Sequence, residues 1–183
     1  MKRATQVTID TQGNIYEPVP CHIPPKQEKE YLKNLALILF LITTFTLSAQ
    51  DSATRVTNFN ITNGVAIQGY DPVSYFTKGM AEVGAAKYAV SYLGVKYYFS
   101  SQANRELFKT SPSKYEPQYG GWCAFAMGDS GEKVEINPTT FKIVNNKLYL
   151  FYNAFFNNTL KSWNKDELKL KSRADKNWGL MFK

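Results

Sequence analysis

The chain has 183 residues, 15% of them aromatic, and a formal net charge of +7. That length suits a single domain, and 12 Tyr, 12 Phe and 3 Trp exclude an extended disordered chain and point to a core packed on rings. Two cysteines, Cys21 and Cys123, and one histidine, His22, exclude a disulfide-rich scaffold and a histidine-rich metal centre.

Residues 1–31 are polar and rich in proline (Pro18, Pro20, Pro24, Pro25) and lack apolar periodicity. They read as a non-native or mis-annotated extension, with translation expected to start at Leu32. Residues 32–49 have the layout of a signal peptide: Lys33, the uncharged run Leu35 to Ala49, and small residues before Gln50. The run is short for a membrane span, so an uncleaved anchor is the alternative. A periplasmic or secreted protein is expected, touching the membrane only through its leader during export. No cysteine at the cut suggests a lipid anchor. Cleavage after Ala49 would remove Cys21 and His22 and leave 17 Lys and Arg against 11 Asp and Glu, or +6. Cys123 would then be the only thiol, with no histidine to assist it.

Residues 50–64 read as a linker and 65–180 as the domain. From Val65 to Phe76 an extended segment is expected, with Pro72 at an edge or turn. Tyr88, Val90 and Tyr92 alternate before Leu93-Gly94, and Val95, Tyr97 and Phe99 after it, which predicts a hairpin. Ser100 or Ser101 can cap a short helix through about Lys109, with Ala103, Leu107 and Phe108 on one side and Pro112 beyond its end. The paired Gly120-Gly121 permit backbone geometry or a close approach that side chains forbid. Phe141 and Ile143, then Leu148 and Leu150, flank Asn145-Asn146 as a second hairpin. Leu160 with Trp163, and Leu170, Ala174 and Trp178, give C-terminal helices an apolar stripe. The predicted class is α+β: small antiparallel hairpins packed with a short central helix and C-terminal helices.

Four ordered motifs carry a resemblance: Gly69-Tyr-Asp-Pro-Val-Ser-Tyr-Phe76, Tyr97-Tyr-Phe-Ser-Ser101, Phe108-Lys-Thr-Ser-Pro-Ser-Lys-Tyr115 and Tyr119-Gly-Gly-Trp-Cys-Ala124. Over about Val65 to Trp178 the chain resembles the YHS domain family, and more closely its exported bacterial branch. The resemblance implies a small α+β domain and a link to metal or stress homeostasis. In metal-linked members a cysteine follows the Asp-Pro-Val step and another the Tyr-Phe step. Ser74 and Ser100 match those positions, so the thiolates that suit zinc or cuprous copper are missing.

The candidate ligand-binding residues are Tyr70, Asp71, Tyr119, Trp122 and Cys123. Rings with one carboxylate suit a cationic or planar ligand, while Asp71 before Pro72 also suits a plain turn. Cys123 reads first as a buried small hydrophobe, and Cys123 with Met127 as a weaker copper-binding alternative to which Met80 or Met181 would add a ligand. Lys165, Lys169, Arg173 and Lys176 read as a solvated helix face diluted by acids, with an expected Glu167–Lys171 pair. A non-enzymatic binding module with an unknown small-ligand or protein partner, no nucleic acid, no catalytic residue and no metal or cofactor is the first expectation. A small redox protein or enzyme using Cys123 is the alternative.

Overall fold

The computed structural model describes residues 8–9, 11–13, 15–16, 29–30, 32–34 and 52–182. The chain divides into two units, 1–46 and 47–183. In the first, β1 (Thr8–Ile9) pairs antiparallel with β2 (Ile15–Tyr16), and residues 29–30 and 32–34 are helical. The leader expected over 32–49 lies outside the described residues beyond Asn34. Among the described residues no helix is long and apolar enough to cross a membrane.

The second unit is α+β, built from helices and two-stranded antiparallel sheets. Residues 52–64, read from sequence as linker, instead carry helix α1 (52–58), the buried pair Phe59-Asn60 and the first strand of a hairpin, β3 (Ile61–Thr62) with β4 (Val65–Ala66). Arg55 explains the docking of α1: its guanidinium lies 2.6 Å from Glu116 and 4.2 Å from the Phe59 ring centroid.

The expected extended segment stops at Ala66. A 3-10 turn at Ile67–Gly69 follows, and then helix α2 (Ser74–Thr77). The reason is Asp71, whose Oδ1 accepts the Val73 and Ser74 N–H groups at 2.8 and 3.3 Å and so closes the turn across Pro72.

Strand β5 (Ala85–Tyr92) and strand β6 (Val95–Phe99) form the expected hairpin, with a bulge between Ala85 and Val90. Helix α3 (Gln102–Thr110) starts at Ser101, whose side chain accepts the Asn104 N–H. Its buried residues are Asn104 and Phe108, while Ala103 and Leu107 face solvent. The Asn104 amide donates to Asp71 Oδ2 at 2.7 Å, which rotates the helix away from its purely apolar stripe. Phe108 meets the rings of Tyr97 and Phe99 at 4.9 and 5.0 Å.

Helix α4 (Pro112–Tyr115), a second 3-10 turn (Gln118–Gly121) and helix α5 (Ala124–Asp129) lead to β7 (Asn137–Val144) and β8 (Lys147–Phe151). Every residue of β8 after Lys147 is buried. Leu148 and Leu150 enter one core with Val95, Phe99 and Phe108; Tyr149 and Phe151 enter a second with Met127, Trp163 and Ala174. The two-residue period of a strand therefore serves two cores, one on each face.

A short hairpin of β9 (Asn153–Ala154) and β10 (Asn157–Asn158) precedes α6 (Thr159–Trp163) and α7 (Glu167–Leu180). The apolar stripe of α6 and α7 packs as expected, with Trp163, Leu170 and Ala174 buried. The expected Glu167–Lys171 pair does not form: Lys171 bonds Asp175 at 2.6 Å, and Glu167 bonds Lys142 at 2.7 Å. That Lys142 bond, aided by the Trp163 Nε1–H, lowers the Glu167 carboxyl below its ordinary range. Its stabilising effect is therefore present above that ordinary range and lost as the pH falls through the lowered value. Lys142→Met is expected to lower the urea midpoint at neutral pH, with the difference from the parent closing in strong acid.

Four tight hairpin turns have two central residues at positive φ, as type I′ turns require: Asn63-Gly64, Leu93-Gly94, Asn145-Asn146 and Phe155-Phe156. Two use only Asn and Gly, which adopt this conformation readily, and a third sets Leu93 beside Gly94. The fourth places two phenylalanines there, at on the order of 1–2 kcal/mol each.

Candidate functional site

Three groupings of polar and reactive side chains stand out. The first surrounds Asp71, which is fully buried at the end of the segment that closes into α2. Its Oδ1 takes the two N–H groups of the α2 turn. Its Oδ2 accepts the Ser100 N–H and hydroxyl, both at 2.8 Å, and the Asn104 amide. Ser100 Oγ also lies 3.0 Å from Glu82 Oε2, so one hydroxyl proton faces two carboxylates. Ser74 Oγ donates to the Asp71 carbonyl at 2.8 Å. Ser74 and Ser100, the two positions where the sequence resemblance implies cysteines in metal-linked members, thus converge on one aspartate. Here they offer hard hydroxyl oxygens already committed to internal bonds, a donor set that does not fit cuprous copper.

Tyr70 precedes this hub, half-buried against the first core, and bridges to Val83. Tyr119 and Trp122 belong elsewhere.

The second grouping is a cleft of about 270 Å³ beside the 3-10 turn Gln118–Gly121, walled by Arg55, Phe59, Glu116, Tyr119, Asp175 and Trp178. Tyr119 is the one predicted site residue that lines it. Its φ of 55° is positive, as are those of Gly120 and Gly121 at 60° and 86°. The glycines make room for the protein's own side chains: a Cβ on Gly120 would lie 2.6 Å from the Trp178 ring and 3.1 Å from Phe59 Cα. Trp122 stands outside the cleft and donates its indole N–H to the Asn58 carbonyl at 2.6 Å.

Two carboxylates frame the rings. Glu116 Oε1 accepts from Arg55 and from the Tyr97 hydroxyl, each at 2.6 Å. Burial pushes the Glu116 carboxyl up, and the bonds from Tyr97 and Arg55 oppose it. Asp175 accepts the Tyr119 hydroxyl at 2.9 Å and Lys171 at 2.6 Å. Burial, and then that bond to Asp175, push the Tyr119 hydroxyl well above its ordinary range, so Tyr119 acts as a neutral donor. Arg55, stacked on Phe59 and paired with Glu116, shows what this surface holds well: a planar cation over a ring with a carboxylate at its edge.

The third grouping is Cys123. It is fully buried, and its sulfur accepts the Tyr152 N–H at 3.3 Å and lies 3.4 Å from the Thr159 hydroxyl. Cys123 packs in the first core and Met127 in the second, so the side chains proposed as a sulfur pair enter different cores. Among the described residues no three His, Cys, Asp or Glu side chains group to hold a metal ion.

Residues 73–119 match the family model of the YHS domain. A YHS domain is thus detected over that span alone. The matched span runs from α2 through β5, β6, α3 and α4 to Tyr119. It includes Ser74, Ser100 and Glu116; Asp71 lies two residues before it, and the second core follows it. No curated protein and no solved structure matches the chain.

Sequence reading missed Arg55, Glu116, Asp175 and Trp178 as neighbours of Tyr119. Arg55 lay in the expected linker, and Asp175 was read only as diluting a basic face. Only the aromatic context of Glu116, between Tyr115 and Pro117, hinted at burial.

Proposed function

We propose that the protein is an exported, non-enzymatic YHS-type binding module whose cleft beside Tyr119 takes a small cationic or planar organic ligand. The observation that carries this reading is the pair of carboxylates, Glu116 and Asp175, framing the rings of Phe59, Tyr119 and Trp178. Rings supply area and cation–π attraction; Asp175, half exposed, supplies charge that a ligand can reach. Export rests on the apolar run Leu35 to Ala49 and places the module in the periplasm or outside the cell. Metal handling, to which YHS domains are often linked, is not the reading favoured here, because hydroxyls replace both thiolates.

The test is titration with small molecules bearing a guanidinium, quaternary ammonium or pyridinium group, followed by the fluorescence of Trp178. Asp175→Asn is expected to weaken binding about tenfold, the scale of one charge-assisted contact. Cys123→Ser is expected to leave it unchanged. Binding indifferent to Asp175→Asn refutes the cleft. Stoichiometric copper or zinc in natively purified protein refutes the metal-free reading, and an activity lost with Cys123→Ser in a folded protein revives thiol chemistry.

A further inference from the structure

The turn between β9 and β10 is anomalous in two independent ways. Phe155 and Phe156 are 91% and 112% exposed, the most exposed large apolar side chains among the described residues. Both also sit at positive φ, 49° and 64°, where the other three tight turns of this domain use Asn, Gly or, once, Leu. Neither ring stacks on another ring among the described residues. Folding is served by neither exposure nor strain, so both point to a role outside the fold.

The surroundings say what the tip meets. Asn153, Ala154, Asn157 and Asn158 flank it, polar or small but uncharged. From Ile136 to Lys165 the chain has no Asp or Glu and four lysines, Lys142, Lys147, Lys161 and Lys165. Lys142 is paired with Glu167, and Lys147 stands at the β7–β8 turn, the far end of β8; Lys161 and Lys165, within and just after α6, are exposed and form no ion pair among the described residues. Asp129 and Glu132 line a cleft that Asn157 of the hairpin also lines, whereas no lining is shared with Phe155 or Phe156. Two rings offer about 400 Å², half of the roughly 800 Å² per partner that a stable protein interface buries. An apolar wedge backed by lysines is what an anionic bilayer surface holds, since shallow burial and charge attraction add there without shape complementarity.

We infer that the Phe155–Phe156 turn is a membrane-contact tip that inserts into the interface of an anionic lipid bilayer, with Lys161 and Lys165 supplying attraction. This adds a second membrane contact, on the folded domain, to the one expected from the leader. It stands independently of the cleft beside Tyr119.

The test compares two full-length chains, identical through Leu35 to Ala49, in flotation with vesicles of phosphatidylcholine and phosphatidylglycerol. Phe155→Asn with Phe156→Gly restores the residues a type I′ turn prefers, so this variant should fold with a higher urea midpoint than the parent. Its partition into anionic vesicles is expected to fall by about tenfold or more. Replacing Lys161 and Lys165 by Gln, or raising the salt, is expected to weaken the parent's binding on phosphatidylglycerol. The inference is overturned if the turn variant partitions like the parent, or if the parent binds pure phosphatidylcholine equally well. A parent self-association that vanishes in the variant while vesicle binding persists would assign the tip to a second copy instead.

Discussion

Asp71→Ala is expected to lower stability by about 4–5 kcal/mol, near the upper end for one substitution and close to the whole stability of a small domain. The side chain is fully buried and accepts five hydrogen bonds from three places: the α2 turn, the end of β6 and helix α3. Removing it strands the Val73, Ser74 and Ser100 N–H groups and the Asn104 amide, and each buried orphan costs about 1–3 kcal/mol before relaxation and water entry. Asp71→Asn keeps the shape but turns an NH₂ toward the Ser100 N–H or the Asn104 amide. Donor would then face donor, and a loss of about 3 kcal/mol is expected. Urea denaturation of both variants checks this. Asn tolerated as well as Asp would mean that the hub is held by packing rather than by its acceptors. The expected result also bears on function, because Ser74 and Ser100 stand where metal-linked members have cysteines, and both are fastened to this carboxylate or its backbone.

Trp163→Ala is expected to cost about 3–5 kcal/mol through the cavity it leaves. The indole is fully buried in the second core, 5.7 Å from the Tyr149 ring and 5.6 Å from the Phe151 ring, and its N–H reaches Glu167 at 3.1 Å. Those two rings come from the face of β8 opposite Leu148 and Leu150, so the loss should be felt by the second core first. Trp163→Phe fills most of the space and forgoes the Glu167 bond, for an expected loss of about 1–2 kcal/mol. Near-ultraviolet circular dichroism and urea midpoints distinguish the two. An alanine variant as stable as the phenylalanine variant would show that the second core collapses onto the gap. Because Trp163 is far along the chain from residues 73–119, the experiment also measures how strongly the YHS-matched region depends on the C-terminal helices.

The hairpins at Ala85–Phe99 and Asn137–Phe151 were legible because alternation and turn residues act within a dozen positions of one another. The same holds for the Ser101 cap and the stripe Leu170, Ala174, Trp178. What went unread in β8 was Tyr149 and Phe151: alternation shows that one face is apolar, but a strand buried on both sides loses its polar face and with it the signal. Helix α3 was turned differently from its apolar stripe because Asn104 answers Asp71, a partner 33 residues away. The extended reading of Val65 to Phe76 failed for a local reason instead, since Asp71 Oδ1 closes the turn across Pro72 onto the Val73 and Ser74 N–H groups.

The candidate site divides along the same line. Tyr119 and the flanking glycines were visible as a local motif, and so was the isolation of Cys123. The neighbours of Tyr119, namely Arg55, Glu116, Asp175 and Trp178, arrive from α1, the α4 end and α7, and no local pattern links them. Sequence alone determined the α+β class, the YHS resemblance, the missing thiols at Ser74 and Ser100, and the apolar run Leu35 to Ala49, because each is written in adjacent residues. Tertiary structure alone decided that Asp71 is a fully bonded internal hub, that Tyr119 rather than Trp122 faces a cleft, and that Phe155 and Phe156 stand bare at a strained turn. Burial and hydrogen-bond satisfaction depend on which distant segments meet, and that is settled by packing the whole domain.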